Sequence, residues 1–412
     1  MKIELITIGD EILLGHTQDT NSNWIASQLS EYGFHLRWVS IVGDNPSDMK
    51  HQLRRAWDRA DVILVTGGLG PTHDDITRPV IAKFFNDDLV LRDDLSEWIQ
   101  SKFTAREIDP PPGYEVMAEF PSHAIPILNE YGSAPGIHYN LDDRELFAMP
   151  GVPIEMRGMF TNYVLPELKK KTTEYYKHRI LKTAGIGEAY LSELIGDPAK
   201  IAPVTLAYLP SIDHGVTLRL SLSGKDAKEI DTILKQAEGY IQSSISEYIY
   251  ATDQISLEKV ILDMLESKGM KLAVAESCTG GLMASRLVAI PGSSNSFDRG
   301  YVTYSNEAKI ASLSVSEELL ESCGAVSAEV AVAMAEGTVE CAGVDIAVSV
   351  TGIAGPTGGT EEKPVGLVYI AVADQKGGAI QQFRFDGDRN TNRRRSAQAA
   401  LVMLWQKLKG YE

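Results

Sequence analysis

Residues able to act as nucleophiles, bases or metal ligands are unevenly spread along the 412-residue chain. His16, His35, His51, His73, His123, His138, His178 and His214 all precede residue 215, while Cys278, Cys323 and Cys341 all follow residue 277. No Ser-His-Asp triad can form within the C-terminal part, so a nucleophile there needs another base or a partner from a distant domain. Ser277, in Glu276-Ser277-Cys278-Thr279-Gly280-Gly281, stands where a buried strand gives way to a glycine-rich helix start. Free amides at such a start can bind a phosphate or hold an oxyanion. Lys309 follows in Tyr304-Ser305-Asn306-Glu307-Ala308-Lys309. A helix beginning at Asn306 puts this lysine in its first turn, where the dipole and burial both lower an amine pKa toward that of a usable base. Thr351, Gly352, Ala354 and Gly355 form a further loop, and Arg389 and Arg393 offer planar guanidinium groups for phosphate or carboxylate. Plainer readings stay open. Ser277 can be a helix cap, Lys309 and the arginines a solvated face, and Glu276 and Tyr304 ordinary strand-end residues. Cys278 can be a buried thiol, or the rival nucleophile if a helix start lowers its pKa.

A second constellation lies in Gly67-Gly68-Leu69-Gly70-Pro71-Thr72-His73-Asp74-Asp75-Ile76-Thr77. Glycines let backbone amides approach a phosphate, and adjacent carboxylates supply hard oxygen ligands for a divalent cation. Asp10, Asp19 and Asn21 add acidic and amide groups near another strand end, and Ser133 to Gly136 is a third candidate loop. Spacing alone implies a phosphorylated ligand and a metal. The plainer readings are a tight turn at Gly67-Gly68, helix capping by Asp19, Asp74 and Asp75, and a surface position for His73.

The elements that must position these residues divide the chain into three regions. Residues 1–168 alternate buried strands (Ile3–Ile8, Asp61–Thr66, Leu146–Met149) with amphipathic helices, one of them capped by Ser22. This pattern implies a largely parallel α/β sheet with its ligand at the carboxyl ends of the strands. Lys169-Lys170-Lys171 reads as a linker. Residues 174–250 read strand, helix, strand, strand, helix, a small α+β module without a catalytic constellation, serving as spacer or dimerisation element. Residues 253–412 form a second α/β domain, with strands expected at Lys271–Ala275, Gly300–Tyr304, Asp345–Val350, Gly366–Ala373 and Ile380–Phe385 and a closing helix near Thr391–Lys409.

Composition narrows the function classes. Lys plus Arg is 39 and Asp plus Glu 56, a formal charge of −17, which disfavours a general nucleic-acid or anionic-membrane binder. Residues 253–412 hold 15 basic and 20 acidic residues, so −12 of the charge lies in the remainder. No 18-residue apolar run and no signal-peptide pattern is present, and three unpaired cysteines fit a reducing compartment; the expectation is a cytoplasmic protein.

The strings Gly-Asp-Glu-Ile-Leu-Leu-Gly, Asp-Thr-Asn-Ser-Asn-Trp, Gly-Gly-Leu-Gly-Pro-Thr-His-Asp-Asp-Ile-Thr and Met-Pro-Gly-Val-Pro resemble the competence/damage-inducible CinA family, whose N-terminal domain is of the molybdopterin-binding MoaB/MogA type. Ala-Glu-Ser-Cys-Thr-Gly-Gly, Tyr-Ser-Asn-x-x-Lys, Thr-Gly-Ile-Ala-Gly-Pro, Lys-Pro-Val-Gly and Gly-Asp-Arg-x-x-x-Arg resemble its C-terminal, nicotinamide mononucleotide deamidase (PncC) domain. The middle region takes the place of the family's KH-like module. It lacks a Gly-x-x-Gly loop, so RNA binding is not expected there. The resemblance implies two three-layer α/β domains joined by that module. It implies nicotinamide mononucleotide deamidation with Ser277 as nucleophile, Lys309 as base and Tyr304 assisting. Glu276, Cys278, Thr279, Gly280, Gly281, Asn306, Thr351, Gly352, Ala354, Gly355, Arg389 and Arg393 would surround the substrate, without a cofactor. In the N-terminal domain it implies metal-dependent ADP-ribose pyrophosphatase activity. Asp10, Asp19, Asp74 and Asp75 would hold the divalent cation, with Gly67, Gly68, Gly70, Thr72, Asn21, Ser133 and Gly136 on the nucleotide. A homodimer is expected. The competing readings are an N-terminal domain that binds a nucleotide or molybdopterin without turnover, and an interaction protein of competence or DNA-damage response.

Overall fold

A computed structural model describes residues 1–110, 113–141, 143–375 and 377–410. Two compact units emerge: Met1–Lys177 with Ser223–Ile230, and His178–Leu222 with Asp231–Glu412.

The first unit is built on a six-stranded sheet. Its strands are β1 (Ile3–Ile8), β2 (Leu36–Val42), β3 (Val62–Thr66), β6 (Ile125–Ile127), β7 (Gly136–Leu141) and β8 (Arg144–Met149), in the order β2-β1-β3-β8-β7-β6. A separate ribbon pairs β4 (Leu89–Leu91) with β5 (Glu119–Pro121). β1 and β3 are apolar and buried throughout, as strands covered on both faces must be. The expected parallel sheet is parallel only from β2 to β8; β7 and β6 return antiparallel. A tight connection between β7 and β8 permits only that direction. The turns after β1, β3 and β8 come together at the carboxyl edge.

Two expectations are corrected here. The helix Thr20–Glu31 is capped by Asp19, which accepts the Ser22 amide, and not by Ser22. The lysine run is not a free linker: Lys169 and Lys170 end the helix Leu165–Lys170, and Lys171 pairs with buried Glu145.

The middle region forms a four-stranded antiparallel sheet, β10 (Thr205–Ser211), β11 (Gly215–Gly224), β9 (Tyr175–Thr183) and β12 (Ile249–Ala251) in that order, with helices Glu188–Ile195 and Ala227–Ile245. The C-terminal sheet runs β14 (Phe297–Val302), β13 (Leu272–Glu276), β15 (Ile346–Gly352), β16 (Leu367–Asp374), β17 (Gly377–Arg384). β13 lies between β14 and β15, parallel to both, so three strand ends open on one edge. β14 starts earlier than its expected Gly300 and stops at Val302, which leaves Tyr304 in the turn beyond it. The core on one face of this sheet joins Leu257, Ile261, Leu265 and Val274 to Ala397, Leu401 and Trp405 of the helix Arg389–Lys409. No helix among the described residues is long and apolar enough to cross a membrane.

Candidate active sites

At the carboxyl edge of the C-terminal sheet, Ser277 directly follows β13 and Lys309 reaches it from the helix Asn306–Leu313. Ser305 caps that helix by accepting the Ala308 amide, which fixes Lys309 in its opening turns. Lys309 is only 1% exposed, and its Nζ stands 3.2 Å from the Ser277 Oγ. The same Nζ donates to the Thr303 carbonyl at 2.8 Å and to the Tyr304 carbonyl at 3.5 Å. Burial holds the Lys309 amine below its ordinary pKa. A neutral amine has two N–H bonds, enough for the two carbonyls, and keeps one lone pair able to accept the serine proton. The arrangement is that of a base beside a nucleophile.

The nucleophile turn is held from several directions. The Ser277 amide donates to Val350 O of β15, and the Gly280 amide to Ser277 O. The turn spans 277–281, and the helix begins only at Leu282, later than expected. Ser277 is therefore not its cap. That role falls to Glu276, fully buried, whose carboxylate accepts the amides of Met283 and Ala284. Glu276 thus shapes the turn and is not a substrate contact. Burial pushes the Cys278 thiol up to about 12, which removes it as the rival thiolate. Thr279 is fully buried; its carbonyl accepts from Arg393, while its hydroxyl has no hydrogen-bond partner among the described residues.

Several other expected ligands also support the loops. The Arg393 Nε and Nη2 donate to Thr279 O, and Arg389 donates to Gly355 O at 2.7 Å and to the Tyr304 hydroxyl at 3.0 Å. Arg389 is the first residue of the final helix and does not precede it. Each guanidinium still has further N–H donors for an anion, having five in all. The Tyr304 side chain is 61% exposed and tied to Arg389, so it stands at the mouth and not between Ser277 and Lys309. The Thr351 hydroxyl donates to Ala325 O and is spent. Gly352 ends β15, Ala354 is buried, and Asn306 opens its helix exposed to solvent. Asn392 was not anticipated. It joins Ala354 O to both backbone groups of Gly387, and its place inside Gly-Asp-Arg-x-x-x-Arg was the available signal.

In the N-terminal domain a cleft of ≈ 510 Å³ lies over the ends of β1, β3 and β8. Gly67, Gly68, Gly70, Asp74, Asp75 and Ser133 line it. Gly67 and Gly68 adopt φ 107° and 67°, and a Cβ at Gly67 would lie 2.3 Å from Ile8 O, so the turn requires glycine. Thr77 fastens it by donating to Gly67 O. Arg78, buried and with its pKa lowered by that burial, donates to Leu69 O and Val116 O beneath the loop.

The expected four-carboxylate metal set does not assemble. Asp19 is spent as a helix cap, accepting from Thr7 and Ser22. Asp75 accepts the Thr72 amide and hydroxyl, which occupies Thr72 as well. Asn21 donates to Gly151 O. Gly136 lies within β7, where a Cβ would meet Ala148 O at 2.7 Å; it serves packing, not a ligand. Asp10 instead exchanges amide hydrogen bonds with Asp44, a residue the sequence did not single out. The Asp44 carboxyl is raised by burial and by the charges of Asp10, Glu11 and Asp74, with the Asp10 amide pulling the other way. Among the described residues no three His, Cys, Asp or Glu side chains come together around one ion. The expected set therefore does not fit a cation, and no chemical step is routed through one. Ser122, His123 and Asp87 also meet, but Ser122 and Asp87 both bond His123 Nδ1, so no proton relay runs through that ring.

Fold and matches together define a three-part α/β chain. The probable molybdopterin binding domain matches residues 4–170, the damage-inducible protein CinA KH domain residues 178–251, and the CinA C-terminal domain residues 254–408. A protein named as competence-damage inducible in Caldicellulosiruptor saccharolyticus is 42% identical over 408 residues, covering 98% of each chain. A CinA-like protein of Chloroherpeton thalassium is 42% identical over 414 residues, again 98% of each. Among solved structures, a competence/damage inducible protein from Agrobacterium tumefaciens is 43% identical, covering 37% of this chain and 93% of that one, with a TM-score of 0.36. A CinA superfamily protein from Escherichia coli is 36% identical, covering 37% and 88%, with a TM-score of 0.36. The chain belongs to the CinA, or competence-damage inducible, family.

Proposed function

We propose that the C-terminal domain hydrolyses the carboxamide of nicotinamide mononucleotide to nicotinate mononucleotide and ammonia. The observation that carries this reading is the buried Lys309 amine 3.2 Å from the Ser277 hydroxyl in a domain without histidine. Neutral Lys309 takes the Ser277 proton as Oγ attacks the carboxamide carbon. Amides of the 278–281 turn or of the Gly352–Gly355 loop hold the oxyanion. The lysine ammonium then gives its proton to the departing nitrogen, ammonia leaves, and an ester to Ser277 remains. Water, losing a proton to Lys309, attacks that ester, and the ammonium returns the proton to Ser277 Oγ as it leaves, freeing the carboxylate and restoring neutral Lys309. The donors left on Arg389 and Arg393 would meet the 5′-phosphate. Ser277→Ala should abolish ammonia release with unchanged circular dichroism, while Cys278→Ala should retain it. Turnover in Ser277→Ala, or its total loss in Cys278→Ala, would sink the assignment.

A second reading concerns the N-terminal cleft, which we propose as a site for a phosphorylated nucleotide such as ADP-ribose. Its support is the Gly67–Gly70 turn, which lines the cleft with backbone able to approach a phosphate closely. AMP release from ADP-ribose, with and without added divalent metal, separates hydrolysis from binding without turnover.

A further inference from the structure

Within the second compact unit a cavity of ≈ 440 Å³ lies along the helix Arg389–Lys409, with a lining separate from that of the Ser277–Lys309 site. Val402 and Met403 of that helix, both 8% exposed, form its floor. Phe383 of β17 and Phe385 beyond it add a pair of rings 5.7 Å apart and 12° from parallel. Ile186 and Ile212 add apolar surface from the His178–Leu222 segment. Gly185 brings that segment close: at φ 77°, a Cβ on it would lie 3.1 Å from Val402 Cγ1. The Gly185-Ile186-Gly187 turn thus sets one rim of the cavity.

One buried polar group breaks this lining. Gln398 is only 8% exposed, and its Oε1 accepts from Arg286 Nη2 at 2.8 Å, which fixes the orientation of the amide. Its Nε2 is buried and has no hydrogen-bond partner among the described residues. A buried donor without an acceptor is costly. Arg395 alone is charged among the described residues of the lining, and its Nη1 donates to Asp386 at 2.6 Å. The cavity therefore suits a neutral ligand. Pockets of this size take small organic molecules, with apolar walls for area and a few polar groups for orientation. A flat ring stacks on phenyl groups, and a ring nitrogen or carbonyl would give Gln398 Nε2 its missing acceptor. We propose that the cavity binds a neutral, planar heteroaromatic ligand carrying a hydrogen-bond acceptor, of purine-nucleoside or pyridine-carboxamide size.

The test is a titration of the full-length chain, labelled at its methionine methyls for NMR, with adenosine and, separately, with nicotinamide. The Met403 methyl, assigned by its loss in Met403→Leu, should shift saturably with at least one of the two, because an aromatic ring moves the resonance of a methyl beside it. A response to one probe alone identifies which of the two bases the cavity takes. Ala399→Phe, which fills the cavity from the helix, should abolish the shift. Gln398→Glu keeps an oxygen for Arg286 but exchanges the donor for an acceptor. It should weaken binding roughly tenfold, the share of one good hydrogen bond. A Met403 methyl that moves with neither probe, a shift that survives Ala399→Phe, or an affinity unchanged in Gln398→Glu would each overturn the proposal. The readout is local, so a probe that also enters the deamidase site or the N-terminal cleft does not mimic the result. Unchanged positions of the other methionine methyls establish that each variant is folded, and Gln398→Glu stands by itself should Ala399→Phe fail to pack.

Discussion

A lysine accepts a proton from serine only while it is neutral, so the environment of Lys309 decides what the pair can do. Burial raises the cost of its ammonium and shifts the pKa below the ordinary 10.5. The neutral fraction at a given pH thus exceeds that of a free lysine. The expected outcome is a kcat/KM for ammonia release that rises with pH, with its midpoint below 10.5. Lys309→Arg, whose guanidinium stays charged, should lose ~10²–10⁴-fold, the usual share of a positioned base. A rate that falls on raising the pH through neutrality would count against the assignment. Both partners were legible in the sequence: a buried strand pattern ended at Ser277, the absence of histidine excluded a triad, and Lys309 stood early in a recognisable helix. The burial that separates Cys278 from a reactive thiolate was not legible, because adjacent residues on a turn face different ways and only the packed fold says which.

Helix capping decided two of the corrections. Glu276 and Asp19 both satisfy amide donors that a helix start leaves without intrahelical partners. An acidic residue near a helix start looks the same in sequence whether it holds a metal, a substrate or the helix itself. Asp19→Ala should cost about 0.5–2 kcal/mol in chemical denaturation, the usual effect of losing a cap. It should leave any cation dependence of the N-terminal domain unchanged. Loss of metal response without loss of stability would return Asp19 to the ligand set. Glu276→Ala leaves two amides without their acceptor beneath the nucleophile turn. It should cost roughly 1–3 kcal/mol and lower kcat more than it raises KM, because the turn that aims Ser277 loses its anchor. The arginines Arg389 and Arg393 teach a related lesson: guanidinium groups chosen for an anion also bind the carbonyls that shape its site.

At the scale of the whole chain, the sequence marked out the strands whose ends carry the sites, because fully buried strands need continuous apolar runs. It did not reveal that both large sheets are mixed, since strand direction is set by connection length and by pairing between distant segments. It also left unread the ties between His178–Leu222 and the C-terminal domain, which lie in one compact unit. Arg394 pairs with Asp213, and Arg286 donates to Asp213 O at 2.7 Å while holding Glu258 and Gln398. Among the described residues, the Ser277–Lys309 pair takes its hydrogen bonds from within the 253–412 region. A fragment comprising residues 253–412 should therefore release ammonia from nicotinamide mononucleotide with a kcat close to that of the full chain. It should also unfold earlier. Arg286 loses its bond to Asp213 O and Arg394 its solvent-screened ion pair with Asp213. Thermal unfolding and initial rates on the same two preparations test both halves of this expectation. A folded but inactive fragment would mean that the deamidase chemistry needs a group outside the region, and the histidines before residue 215 would be the first to search.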